Sequence, residues 1–130
     1  MASRTDRVTI NGTHVFEPID TGNHRGMVAA ITVENLGPNP LTGFAIEVAG
    51  ATKSLWFLVA NQSSEFTSLV PNSKIEANHG KPSNDPTTLQ PGQAIFLGVD
   101  LKIYPRLRVS ATTAAENPTT IEIEYTWGSA

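Results

Sequence analysis

Three histidines, His14, His24 and His79, are the residues of this chain whose type first invites chemistry. Imidazole ligates metals and moves protons near neutral pH. The three lie far apart, with neither an H-x-H nor an H-E-x-x-H spacing. His14 falls in a strand-like segment, and His24 and His79 fall in glycine-containing turns beside asparagine. A metal site would need the fold to gather them with Asp20 or Asp85; ordinary surface or turn histidines explain them more simply. Glu122 and Glu124 lie two apart and share one face of a strand. Paired carboxylates do acid–base work when they flank a substrate or push each other's pKa values apart. On the polar face of an edge-like strand, solvated charge is a sufficient reason for them. Ser63, Ser64 and Ser68 lack a G-x-S-x-G context, and the segment GNHRG at 22–26 lacks the Lys-Ser/Thr pair of a P-loop. Cysteine is absent, which excludes thiolate catalysis, disulfides and thiolate-held zinc. The residues therefore predict a non-enzymatic protein with no cofactor and no metal.

Binding chemistry has more to offer. Trp56, Tyr104, Tyr125 and Trp127 are candidate flat platforms for a sugar, and Trp56 is the best of them because its parity opposes the core row of its own strand. Tyr125 and Trp127 lie on the apolar face of the last strand, where core or interface packing accounts for them. A carbohydrate-binding β-sandwich module is thus one reading. The other starts from composition. Charged residues are 16% of the chain, against about 25% in an ordinary soluble domain. Hydroxyl and amide side chains supply the polarity instead, and uncharged polar groups cost less to bury in a broad contact than ions do. That favours a subunit of an assembly. The net charge of -3 gives no reason to expect a nucleic acid as direct ligand. Basic residues gather at Arg4 with Arg7 and at Arg106 with Arg108; the latter two share a strand face, where they meet an acidic neighbour or simply charge a solvated edge against unwanted pairing.

At 130 residues the chain is expected to form one domain over 1–130. Residues 27–35, MVAAITVEN, alternate with period two, and so does TGFAIEVAG after the proline-rich corner LGPNP. In that corner the Asn35 side chain is placed to bond nearby backbone and hold the turn. SLWFLVAN, residues 54–61, is apolar on both faces, with Leu55, Phe57 and Val59 opposing Trp56 and Leu58, so its outer face needs a cover from the chain itself or from another subunit. The segment 71–91 carries four prolines and only Ile75 and Leu89 as clear apolar anchors, which suits a long loop or an arm laid on a neighbour. Ile95 to Ile103, then Leu107, Val109 and Ala111, form apolar rows interrupted at Pro105. TTIEIEYTW closes the chain as its cleanest amphipathic strand.

With RVTI and THVFEP near the start, seven or eight strands and no helical period predict an all-β fold, a single-domain β-sandwich of immunoglobulin-like or jelly-roll topology, with a barrel as the alternative architecture. Residues 1–7 read as an N-terminal arm. They contain no apolar segment like a signal peptide, and no stretch approaches the 18 or so apolar residues of a membrane span, so synthesis in a cytoplasm and no membrane partner are expected.

ITVENLGPNPLTGFAIEV followed by LQPGQAIFLGVDL, LRVSATT and TTIEIEYTW resembles the small β-sandwich decoration or cement proteins of tailed bacteriophage heads and related virion proteins. The resemblance covers most of the chain as pattern. It implies a virion structural subunit with the major capsid protein or other virion proteins as partners, clustered as a homo-oligomer, a trimer by preference, in the head or alternatively in the tail or baseplate. It carries over no catalytic residues and identifies no contacts. The physical reading supplies these as Arg4, Arg7, Trp56, Leu58, Ile75, Leu89, Arg106 and Arg108.

Overall fold

The computed structural model describes residues 2–22, 27–61, 74–78, 89–102 and 104–129. Among them the chain forms β1 (Ala2–Ile10), β2 (Thr13–Val15), β3 (Ile19–Asp20), β4 (Met27–Gly37), β5 (Gly43–Ala49), β6 (Phe57–Asn61), β7 (Lys74–Asn78), β8 (Ala94–Lys102), β9 (Arg106–Thr112) and β10 (Thr119–Ser129). One five-stranded sheet has the order β1-β10-β4-β8-β7; the other has the order β2-β9-β5-β6, with β3 also on β9. The described pairings are antiparallel. The domain is all-β, two sheets packed as a sandwich and not a closed barrel. Ten strands exceed the seven or eight expected because Pro18, which has no N–H to give a ladder, separates β2 from β3, and because β7 forms inside the segment read as a loop.

Alternation places the core where the sequence puts it. Leu107, Val109 and Ala111 of β9 are buried, as are Ile121, Ile123 and Tyr125 of β10. Ala29, Ile31 and Val33 of β4 face Phe44, Ile46 and Val48 of β5 within the same cluster. Each fully buried aliphatic side chain here contributes roughly 1.5–3 kcal/mol relative to exposure.

Two boundaries are corrected. Residues 2–7 are no arm: they are the start of β1, paired in register with β10 from Ala2↔Trp127 to Arg7↔Glu122. The inward positions of β1 are Arg4, Asp6, Val8 and Ile10, as their partners Tyr125, Ile123, Ile121 and Thr119 show. Two of those four are charged, which hides the strand from an apolar-periodicity reading. Segment 71–91 is likewise no continuous loop or arm. Lys74–Asn78 pairs with β8, and Leu89 bridges Leu41, with Leu41 N donating to Leu89 O at 2.8 Å and Leu89 N donating to Leu41 O at 3.0 Å.

β9 and β10 are interior strands rather than edges, so the edge-charge account of Arg106, Arg108, Glu122 and Glu124 gives way to the contacts below.

Candidate protein interface

Among the described residues three polar constellations bear on function, two of them structural and one open to a partner. The first is the corner after β4. Residues Ile31, Val33 and Asn35 share one parity, and Asn35 is wholly buried at the end of that apolar row. A bulge opposite Thr120 and Ile121 leaves Leu36 as the extra residue of β4, and Gly37 follows at φ 97°. Asn35 Nδ2 donates to Asn39 O and to Leu89 O, both at 2.9 Å. Its Oδ1 accepts from Gly37 N at 2.9 Å and from Thr119 Oγ1 at 2.7 Å. The turn-holding role read from the sequence is borne out, and it extends to strands far away along the chain.

The second constellation seals one edge of the sandwich. Arg4 pairs with Asp6 at 2.9 Å and donates to Pro18 O at 3.3 Å and to Glu17 O, tying β1 to the linker between β2 and β3. Its guanidinium lies 4.6 Å from the centre of the Tyr125 ring. Arg4 is therefore a clasp between the two sheets and not a contact arm. Inward charge on an edge strand also discourages pairing with foreign strands. Tyr125 Oη and Arg4 Nε are buried without a well-formed hydrogen bond, although Arg4 and Asp6 lie close enough to the phenol to act on it, and burial pushes the Tyr125 phenol well above its ordinary value.

That orphaned hydroxyl gives an expected result. Tyr125→Phe keeps the ring against Arg4 and removes only an unsatisfied polar atom, so denaturant unfolding at pH 7 should show stability unchanged or raised, within about 1 kcal/mol. A raised folded-state pKa favours folding fully below the unfolded phenol value of about 10 and less as pH climbs above it. The variant should therefore gain on the parent chain above pH 10. A loss of more than about 1 kcal/mol at pH 7 would show that the hydroxyl is bonded.

The third constellation lies on the outer face of the smaller sheet. Arg106, Arg108, Ser110 and Thr112 alternate outward from β9, opposite Ala49, Glu47, Ala45 and Gly43 of β5. Arg108 Nε donates to Glu47 Oε1 at 2.9 Å, the acidic neighbour anticipated from the sequence. Arg106 Nε donates to Gly50 O at 2.6 Å and its NH2 group to Lys53 O, holding the chain between β5 and β6 across the face. The Trp56 ring closes the group, with the Arg106 and Arg108 guanidinium carbons 5.2 and 4.3 Å from its centre. A cation over an aromatic face is attracted by the ring quadrupole, by about 0.5–1 kcal/mol at exposed sites. Trp56 is thus a half-buried member of an arginine stack, which takes from the sugar reading the bare ring it requires.

The stretch of chain that carries Trp56 also carries three of the large exposed apolar side chains, Leu55 at 61%, Phe57 at 55% and Leu58 at 45% exposure. The parity of SLWFLVAN holds through Leu58, which pairs with outward Glu47, and Val59, which is buried; Phe57 pairs with inward Val48 yet is left open, because β6 is the last strand of its sheet. Phe57 also touches Tyr104, ring centres 6.2 Å apart.

Of the eight candidates, Trp56, Leu58, Arg106 and Arg108 come together here. Arg7 lies on the outer face of the larger sheet, where it pairs with Glu122 at 3.2 Å. Leu89 is corrected from contact residue to core residue, 1% exposed behind its bridge to Leu41. Ile75 sits on β7 opposite Leu97, and its side chain lies outside what is described, as do His24, His79, Asp85, Ser63, Ser64, Ser68 and Ile103. His14 packs edge-on against Phe16, ring centres 4.7 Å apart. Among the described residues no three His, Cys, Asp or Glu side chains converge as metal ligands. Sequence reasoning missed Leu55, Phe57, Lys53 and Glu47 as members of the patch. Their signal was the excess of apolar residues over what one buried strand face absorbs. The chain matches no family model and no curated protein.

Proposed function

We propose that this chain is a non-enzymatic structural protein of a bacteriophage virion, a capsid decoration or cement subunit that stabilises contacts between major capsid proteins. The observation that carries this reading is the run of exposed apolar side chains, Leu55, Phe57 and Leu58, on the stretch of chain that also carries the arginine-stacked Trp56. Contiguous exposed apolar surface of this kind marks contact sites, and aromatic and aliphatic anchors there carry most of the affinity.

The strand pairing supports a jelly-roll in preference to an immunoglobulin-like topology. With β3 and β7 set aside, pairing is nested: β1 with β10, β2 with β9, β4 with β8 and β5 with β6. Two four-stranded sheets wrapped in this way are the jelly-roll plan, used in viral capsid and lectin domains among others. Fold alone does not give function. The mechanism is mechanical: each copy spans a joint in the shell, so rupture needs several modest contacts to fail together. The protein would be made in the host cytoplasm and end on the virion.

The test is co-sedimentation of the purified protein with heads assembled without it, followed by a thermal rupture assay. Saturable binding at a fixed ratio to the major capsid protein, with a higher rupture temperature, is expected. A protein with no affinity for such heads would overturn the reading.

A further inference from the structure

We infer that this protein binds a second copy of itself head to tail, the Trp56 patch of one copy meeting the outer face of the five-stranded sheet of the next. The inference rests on the assembly reading above and adds to it which surfaces meet.

The two surfaces are complementary in layout and in charge. The patch has an apolar centre of Leu55, Trp56 and Leu58, and beside it stand three cations, Lys53, Arg106 and Arg108, against the carboxylates of Glu47 and of Asp20, which lies opposite Arg106. The outward row of β4 is Val28, Ala30, Thr32 and Glu34. In register it lies beside Glu122, Glu124 and Thr126 of β10 on one side and Phe96 and Gly98 of β8 on the other. That face therefore has a half-buried apolar centre at Phe96, Ala30 and Val28. Among its described side chains it also carries three carboxylates, Glu34, Glu122 and Glu124, against the guanidinium of Arg7. Glu34 and Glu122 stand directly opposite each other across the strands, a like-charge pairing that Arg7 relieves from the Glu122 side and that a further cation would relieve at Glu34. An apolar centre with a charged rim of opposite sign on each side is the anatomy of a specific contact.

Gly98 fits the same picture. A glycine inside a strand is unfavourable unless something approaches its backbone closely. Here a Cβ at position 98 would meet nothing within 4 Å, so the residue leaves a notch beside Ala30 and Phe96 rather than relieving a crowded core. Because the two surfaces differ, the contact is heterologous, and it closes into a ring where the rotation between copies allows.

The experiment uses the full chain and changes exposed Lys53, Leu58 and Glu124 and half-buried Glu34. One variant carries Lys53→Glu with Leu58→Glu, the other Glu34→Lys with Glu124→Lys. Light scattering over a concentration series should show an oligomer for the parent chain, weakened by added salt. Each double variant alone should associate at least tenfold more weakly, with circular dichroism and melting confirming that it folds. Mixing the two variants should restore association, in species where the two alternate, since the reversed patch then meets the reversed sheet face and the unchanged patch the unchanged face. A parent chain of single-copy mass at all concentrations would overturn the inference, and so would an oligomer indifferent to either variant or a mixture that stays dissociated. Binding of the same variants to heads separates the two ideas: single-copy protein that still coats heads refutes self-association and leaves the virion reading standing.

Discussion

Asn35→Ala is expected to lower the unfolding free energy by about 3–5 kcal/mol, a loss that places it among the most damaging single substitutions a domain of this size meets. A primary amide offers two donor hydrogens and an acceptor oxygen with two lone pairs. Asn35 uses all four, toward Asn39 O, Leu89 O, Gly37 N and Thr119 Oγ1. The orientation of the amide follows from its partners, since the reverse would set its NH2 group against the Gly37 N–H. Alanine leaves the wholly buried Thr119 hydroxyl without a partner and the Leu89 carbonyl with the Leu41 N–H alone, and a buried group left unpaired costs about 1–3 kcal/mol. It also leaves a void beside Ile121, which pairs with Asn35 in register. Asn35→Asp is the sharper control. It matches the amide in shape but turns an oxygen toward two carbonyls, so it should be no better tolerated, and its deficit should shrink as acid protonates the carboxyl. Urea unfolding of both variants, with an unchanged dependence on denaturant, checks the prediction. A loss under about 1 kcal/mol for alanine would reduce Asn35 to an ordinary turn residue.

The same residue shows how far the sequence could be read. Its parity, continuing Ile31 and Val33, is visible in ITVEN, and so is its place before a proline-rich corner. The distant partners are not, because Leu89 and Thr119 reach it only through strand pairings that no local pattern encodes. Elsewhere, β4, β5, β9 and β10 were legible because one face of each is buried and the other wet, so period two is written directly into residue type. Leu89 was misread for the opposite reason. A single leucine among polar residues has no periodicity to announce burial, and only its bridge to Leu41 fixes it in the core.

Charge was the least legible feature of the candidate interface. Arg106 and Arg108 were recognised as sharing a face, but a strand's place within its sheet decides what such a face meets. On an edge they would be solvated; in the interior of a sheet they are flanked by Glu47 on β5 and by the chain carrying Trp56. Likewise Phe57 and Leu58 oppose one another, paired with Val48 and Glu47, and both are exposed because β6 ends its sheet, so the inward side chain of Phe57 lies at the rim of the sandwich. A strand's place in its sheet depends on its partners, so such exposure is invisible to single-strand reasoning.

Removal of residues 1–7 is the second change with a large expected effect. A mobile arm could be deleted without cost to the fold. As the first two-thirds of β1, these residues pair with β10 from Glu122 to Trp127. They also carry Arg4, which holds the Glu17 and Pro18 carbonyls of the other sheet's linker. The truncated chain should lose on the order of 4 kcal/mol, a large share of the 5–15 kcal/mol typical of a domain. It should also expose the hydrogen-bonding edge of β10, a long and regular strand with Ile123 and Tyr125 on its inner face, and such an edge recruits other chains. Denaturant unfolding should therefore show an early midpoint, and light scattering should show aggregates that grow with time instead of a fixed oligomer. Arg4→Met separates the two contributions, because it keeps the strand and removes only the clasp. Its cost should be smaller, about 1–3 kcal/mol, with no new aggregation. If the truncated chain melts with the parent, β1 is dispensable and the edge it covers is held by something other than these pairings.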